Sequence, residues 1–302
     1  MEFIRLPRFK RVPIVAPMQL EERDRQIIRL VHRHRFLRSS HIVALIGGSS
    51  QPLLRRLKLL YHHGYLERPR AQIQYYERGG SKSIAYGLGN KGGALLKQEL
   101  GIAVHPDSWG EKNHVIGRVY LEHALLVSDI MMAIELACQK HGNIRLLYED
   151  QLTLHSERQP FRWRVKIQNG WKLGVIPDRV FALEFPDASG TSQRAYFFLE
   201  ADRGTMPVTR RNFSQTSFNR KLLAYEATWA QKIHQRNLGF HRFRVLTVTM
   251  SAARVKSLVD ACSQLERGHG LFLFADRTIL SGDMLSSTWQ TGRPGETGSL
   301  LD

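Results

Sequence analysis

The 302-residue chain carries 44 Lys and Arg against 27 Asp and Glu, a formal net charge of +17 that favours a polyanionic partner, nucleic acid before an anionic membrane. No stretch approaches the roughly 18 apolar residues of a membrane span, and the two cysteines, Cys138 and Cys262, cannot by themselves complete a four-ligand zinc site. The length suits two domains, and the proline-broken start MEFIRLPRFKRVPIVAP lacks the apolar run of a signal peptide, so residues 1–17 are expected as a basic arm of a cytoplasmic protein without membrane contact.

Residues 20–36 are predicted as a helix: Ile27, Ile28, Leu30 and Val31 are spaced for one face, and acidic residues occupy the first turn, where they complement the helix dipole. Ser39 and Ser40 can cap a second, short helix that stops at Gly47-Gly48. A third starts at Ser49-Ser50 with Pro52 in its first turn and ends at Gly64. On it Leu54, Leu57 and Leu60 or Tyr61 make the expected buried stripe, while Gln51, Arg55, Lys58 and His62 fall on another face. "YLER" then enters a basic loop (Arg68, Arg70, Arg78, Lys82), "IAYGLG" returns as a second strand, and "NKGGALLKQEL" supplies a further helix. His62 and His63 have no third ligand nearby and read as helix-end residues.

Helix–turn–helix followed by a basic hairpin resembles the winged-helix fold, over residues 18–104. That resemblance implies double-stranded DNA as partner, with Gln51, Arg55 and Lys58 toward the major groove and Arg70, Arg78 and Lys82 against phosphates. A winged helix used for protein contacts is the alternative.

Residues 113–289 are expected as a second, α/β (α+β) domain: a mixed sheet flanked by helices. A long helix comes first, apolar at Leu121, Leu125, Ile130, Met131, Ile134 and Ala137. Strands follow around Asn169-Gly170, a hairpin signal. Next come the apolar run "RAYFFLEA", the helix "SFNRKLLAYEATWAQKIHQR", the strand "HRFRVLTVTM", the helix "SAARVKSLVDACSQL" and the strand "GLFLFADRTIL". Residues 290–302, rich in Gly, Pro and Thr, are expected as a disordered tail.

The run 195–199 reads as a strand buried on both faces that ends in Glu200-Ala201-Asp202, with both acids on one side by strand alternation. Pro177-Asp178 opens a neighbouring strand. Asp178, Glu200 and Asp202 cannot all stay ionised in a buried cluster without a counter-charge, and Mg²⁺ or Mn²⁺ is the one that suits carboxylate oxygens. The structural alternative pairs the acids with Arg179, Arg203 or Arg210.

Pro-Asp followed by an acidic-x-Lys tripeptide is the pattern of PD-(D/E)XK nucleases, which include many restriction endonucleases. The resemblance makes Asp178 and Glu200 its two metal-binding acids. Asp202 departs from it, standing where the pattern has lysine; Lys221 on the following helix is the candidate replacement, with Tyr225 one turn on sharing its face. With "LEHALLVSD", "IPDRVF", "FFLEADRGT" and "KLLAY", nearly the whole chain resembles the replication-relaxation family of mobile elements, similar to relaxases related to restriction endonucleases.

That resemblance implies a DNA-binding, divalent-metal-dependent endonuclease that nicks in plasmid or integrative-element replication and mobilisation, with Asp178, Glu200, Asp202 and Lys221 as its site. Other transfer or replication proteins are the further partners it suggests. The rival is a non-enzymatic initiator or regulator with a degenerate nuclease fold. His32-Arg33-His34 lies in the first helix and is not a His-hydrophobic-His cluster, "GLGNKGG" lacks a phosphate-binding fingerprint, and Glu122 and His123 are expected in the core or behind the metal.

Overall fold

A computed structural model describes residues 7–12, 17–73, 83–101, 106–152, 161–167, 170–186 and 192–302. The chain divides into two units, residues 1–132 and 133–302.

In the first unit α1 (Glu22–His34) buries Ile27, Ile28 and Val31 and leads into β1 (Phe36–Arg38). Next, α2 (Ser39–Ile46) ends at Gly47 and Gly48, whose φ values of 73° and 79° turn the chain through a region where a Cβ is strained. α3 (Ser50–His62) follows at once and is tied back to α1 by Arg56, which grips the buried Asp24 through both carboxylate oxygens. β2 (Leu66–Glu67) and β3 (Ala85–Leu88) complete an antiparallel sheet in the order β1-β3-β2, in which Phe36 pairs with Gly87 and Leu66 with Leu88. α4 (Asn90–Leu100) and α5 (Pro106–His114) come next. The glycines of "GLGNKGG" serve packing: a Cβ on Gly92 would collide with the Tyr65 carbonyl, so α4 can lie against the strand only without one.

Three expectations for this unit are corrected. Leu54 is 44% exposed, and the buried stripe of α3 is Leu53, Leu57, Leu60 and Tyr61, one residue out of phase at its start. His62 is buried rather than on the outward face; its Nδ1 accepts from Val12 N–H at 3.2 Å. Burial and the cations Arg68, Lys58 and Arg11 push its pKa down to about 4, so it is a neutral acceptor at physiological pH. Arg68 is no wing cation: it is buried between the rings of Tyr61 and Tyr86, donating to the Tyr86 hydroxyl at 2.9 Å.

The long helix α6 (Arg118–His141) does not open the second unit as expected. Its first half is core to the first: Leu121 and Leu125 cluster with Phe36 and Ala85. The Ser128 hydroxyl lies 2.6 Å from the Phe36 carbonyl, and Asp129 binds Arg38 and His41 at 3.1 and 3.0 Å.

The second unit is built from β4 (Arg145–Tyr148), the short α7 (Glu149–Leu152), β5 (Trp163–Lys166), β6 (Lys172–Val175), β7 (Arg179–Pro186) and β8 (Ser192–Ala201). Then come α8 (Phe218–Ala230), α9 (Ile233–Arg236), β9 (Arg244–Thr249), α10 (Ala252–Ser263), β10 (Phe272–Asp276), β11 (Trp289–Thr291) and β12 (Thr297–Gly298). Seven strands form a mixed sheet in the order β12-β11-β10-β9-β8-β7-β4, so the fold is mixed α/β. β8, β9 and β10 run parallel, with α8 and α10 in the crossovers, while β7 is antiparallel to β8. β5 and β6 pair as a separate hairpin; Asn169 of its predicted turn lies outside the described residues.

Phe198 faces the helices, stacking on Tyr225 at a centroid distance of 5.7 Å, and Trp163 anchors β5 to α8 through a 2.8 Å hydrogen bond to Thr228. Residues 290–302 are not a disordered tail. They extend the sheet through β11 and β12, and Leu300 is buried, its N–H donating to the Leu285 carbonyl at 3.0 Å. The apolar content of 290–302 is small, Leu300 and Leu301 with only Leu300 buried, which is why composition hid it.

Candidate active site

The site grows from sheet register. Arg179 pairs with Leu199, so Asp178, one residue before β7, lies beside Glu200 near the end of β8. The junction is locked by two bonds: Asp178 N–H donates to the Leu199 carbonyl at 3.0 Å, and Ala201 N–H donates to Asp178 Oδ2 at 2.8 Å. Glu200 is 2% exposed. α8 delivers two donors to it, four residues apart and so on one face: the Lys221 ammonium at Oε2 and the Tyr225 hydroxyl at Oε1, 2.6 Å.

Burial pushes the Glu200 carboxyl above its ordinary range, against the pull of Lys221 and with a push from Asp178. Burial draws the Lys221 ammonium down, but Glu200, Asp178 and Asp202 outweigh it and hold the lysine above its usual value. Burial and then Glu200 keep the Tyr225 phenol well above its range, so it stays a neutral donor. The Lys221 side chain is 37% exposed and Asp178 is half-buried, which leaves the lysine–aspartate edge open to solvent.

Asp202 lies on the same side but points to other partners. Thr249 donates to its Oδ2 at 2.8 Å, Arg254 Nε to the same oxygen at 2.8 Å, and Gly204 N–H to Oδ1 at 3.1 Å. Among the described residues, no group of three or more His, Cys, Asp or Glu is arranged to hold a metal. The three-carboxylate cluster expected from the sequence is therefore not assembled: Asp202 ties the end of β8 to β9 and α10. A hard cation that keeps several waters needs only one or two carboxylates, and Asp178 with Glu200 fits that donor set.

Arg254 and Thr249 were the residues that sequence reasoning missed. Neither stands near "LEADR" in the chain; β9 being the parallel neighbour of β8 brings them there. Of the arginines considered as structural partners, Arg210 instead bonds within its own loop, to the Thr216 carbonyl and Gln215. Glu122 pairs with Arg118 on α6 at 2.7 Å.

In the first unit Gln51 and Arg55 are exposed on α3, Lys58 is half-buried, and Arg70 is exposed after β2. Arg78 and Lys82 lie outside the described residues. The basic arm is partly pinned: Arg11 donates to the Tyr61 and Leu66 carbonyls and to Glu67, at 2.9, 2.9 and 2.6 Å.

A family model described as replication-relaxation matches residues 28–242, more than two thirds of the chain. Neither a curated protein nor a solved structure matches it. The match runs from within α1 to just before β9 and so contains Asp178, Glu200, Lys221 and Tyr225, but not Arg254.

Proposed function

The chain belongs to the replication-relaxation family, which suggests a role in replication or mobilisation of mobile elements, and from that premise we propose that it binds duplex DNA and cleaves a phosphodiester bond with a divalent cation. The observation that carries the reading is the Lys221–Glu200–Tyr225 arrangement beside Asp178. A lysine supplied from a helix to a buried glutamate at the carboxyl end of parallel strands does what the acidic-x-Lys pattern does from within one strand. Open α/β sheets hold their ligands at that end.

In this reading Asp178 and Glu200 are the ligands of Mg²⁺ or Mn²⁺, which when bound polarises a phosphoryl oxygen and lowers the pKa of an attacking water. Lys221 stays protonated because it pairs with Glu200 and feels Asp178 and, more weakly, Asp202, and its exposed end stabilises charge that builds on the phosphate. Tyr225 holds the Glu200 carboxylate in one orientation. Asp202 positions the strand end through Arg254 and makes no metal contact. The helix–turn–helix and three-stranded sheet of the first unit act as a winged helix, with Gln51 and Arg55 toward bases and Lys58, Arg70, Arg78 and Lys82 toward phosphates.

One observation favours a second reading, a DNA-binding initiator without nuclease activity: Glu200 is already satisfied by Lys221 and Tyr225, as a structural ion pair would be. Supercoiled plasmid bearing the element's origin separates the two. The nuclease converts it to open circles with Mg²⁺ or Mn²⁺, and Asp178→Ala and Glu200→Gln abolish conversion without loss of duplex binding. Binding without conversion by the wild-type protein decides for the initiator.

A further inference from the structure

At the end of the sheet away from the acids, a groove of about 880 Å³ opens between the starts of β8 and β9, the loop before β10 and the C-terminal hairpin. Five arginines line it, Arg194, Arg242, Arg244, Arg267 and Arg293, against one carboxylate, Asp302. Arg194 and Arg244 are braced, by Glu184 at 2.9 Å and by the Ser299 carbonyl at 3.0 Å. Arg242 is exposed; Arg267 pairs with Glu226 and Glu266 at 3.8 and 3.6 Å and Arg293 with Glu296 at 3.3 Å, but their side chains are 63% and 59% exposed, and surface pairs of this kind are weak enough for a phosphate to compete. Two half-buried aromatic rings share the lining: Tyr196, backed by Phe240 at 4.0 Å, and Trp229, backed by His234 at 4.8 Å.

We infer that this groove binds a segment of single-stranded nucleic acid. Cationic side chains that follow a backbone, interleaved with aromatic faces that stack on bases, are the two elements of sequence-tolerant single-strand binding. The volume lies near the top of the roughly 300–1,000 Å³ that bound small molecules occupy, so a few nucleotides of one strand fit and a duplex does not. Four residues separate Tyr196 from Glu200 and six separate Arg194 from it, roughly 13 and 20 Å at strand rise, so the groove is a second site and not part of the acid pair. Arg244, Arg267 and Arg293 lie beyond the region matched by the family model, as does more than half of the groove wall. The inference does not depend on nuclease activity.

The test is fluorescence anisotropy of a labelled oligothymidylate with the full chain, titrated with salt. Arg242→Glu combined with Arg267→Glu removes two phosphate contacts. The slope of log affinity against log salt should fall by about 1.4, and affinity at about 0.1 M salt by about 25-fold, since each contact carries a factor of about five there. Binding of origin duplex through α3 should change far less. Arg242→Glu alone, on an exposed side chain, should give about half the slope change and guards against a folding defect. Asp178→Ala should leave oligothymidylate affinity unaltered, which separates this site from the acid pair. Unchanged affinity and slope in both groove variants overturn the inference. So does displacement of the oligonucleotide by polyglutamate at equal charge concentration, which would make the occupant an acidic peptide.

Discussion

Replacing Lys221 by methionine should make the stability of the second unit depend on pH. Methionine keeps most of the apolar stem and removes the ammonium that meets Glu200, a residue 2% exposed. Breaking a fully buried ion pair costs about 3–5 kcal/mol. Because the Lys221 side chain is 37% exposed, solvent screens part of that loss, and about 2–3 kcal/mol is expected near pH 7. The carboxyl escapes the penalty by taking up a proton. Its folded pKa is already raised above 4.5 by burial, and losing Lys221 raises it further, while the unfolded chain titrates near 4.5. Between those two values the folded variant holds more protons than the unfolded chain, so stability falls as pH rises, by up to about 1.4 kcal/mol per unit. Below 4.5 the difference from wild type should close. Urea titrations from about pH 5 to about pH 8 measure the slope, and Lys221→Met with Glu200→Gln should flatten it. A loss that is equal at every pH, or that survives in the double variant, refutes the reasoning and assigns Lys221 to packing of its stem on Phe218.

Asp202→Lys should be destabilising by about 2–4 kcal/mol, because it sets a lysine against the half-buried Arg254 guanidinium, 15% exposed; thermal melting checks it, and a stable, more active variant would restore Asp202 as a vacated lysine position. Arg55→Ala and Gln51→Ala should each lower discrimination between origin and random duplex by about 1–3 kcal/mol, read by competition binding, whereas equal losses on both sequences would place base reading elsewhere. A fragment of residues 18–100 should melt well below one of residues 1–141, since it lacks Leu121 and Leu125, whose burial is worth about 1.5–3 kcal/mol each; circular dichroism compares them, and equal stability would detach the long helix from the first unit. At sub-saturating Mg²⁺, where the metal-free carboxyl is what titrates, nicking should decline on acidification with a midpoint above 4.5, because burial raises Glu200 and only its ionised form can bind a cation; a profile that stays flat down to 4.5 under those conditions removes Glu200 from the ligand set.

Local signals carried most of the elements and the acid pair. Glycines and apolar periodicity marked α2, α3, α8 and α10, because these are properties of a few neighbouring residues, whereas the serine caps expected on α2 and α3 do not form: Arg38 holds the cap position of α2, and Ser49 before α3 makes no side-chain cap hydrogen bond. The apolar run into Glu200 announced a buried strand ending in carboxylates, and the helical spacing of Lys221 and Tyr225 put both on one face before any fold was known. Which acid those donors would reach was beyond that reach. Glu200 and Asp202 look equivalent in "LEADR"; one is taken by Lys221 and Tyr225 of α8, and the other by Thr249 at the end of β9 and Arg254 at the start of α10. The same holds for α6, whose uniform apolar face gives no hint that Leu121 belongs to one unit and Ile134 to the other. It holds too for the C-terminal residues, whose order comes from pairing with β10 rather than from their own composition. A chain's local chemistry sets what each segment can form, but long-range pairing decides which charge meets which, and here that gives Glu200 to Lys221 and Asp202 to Arg254.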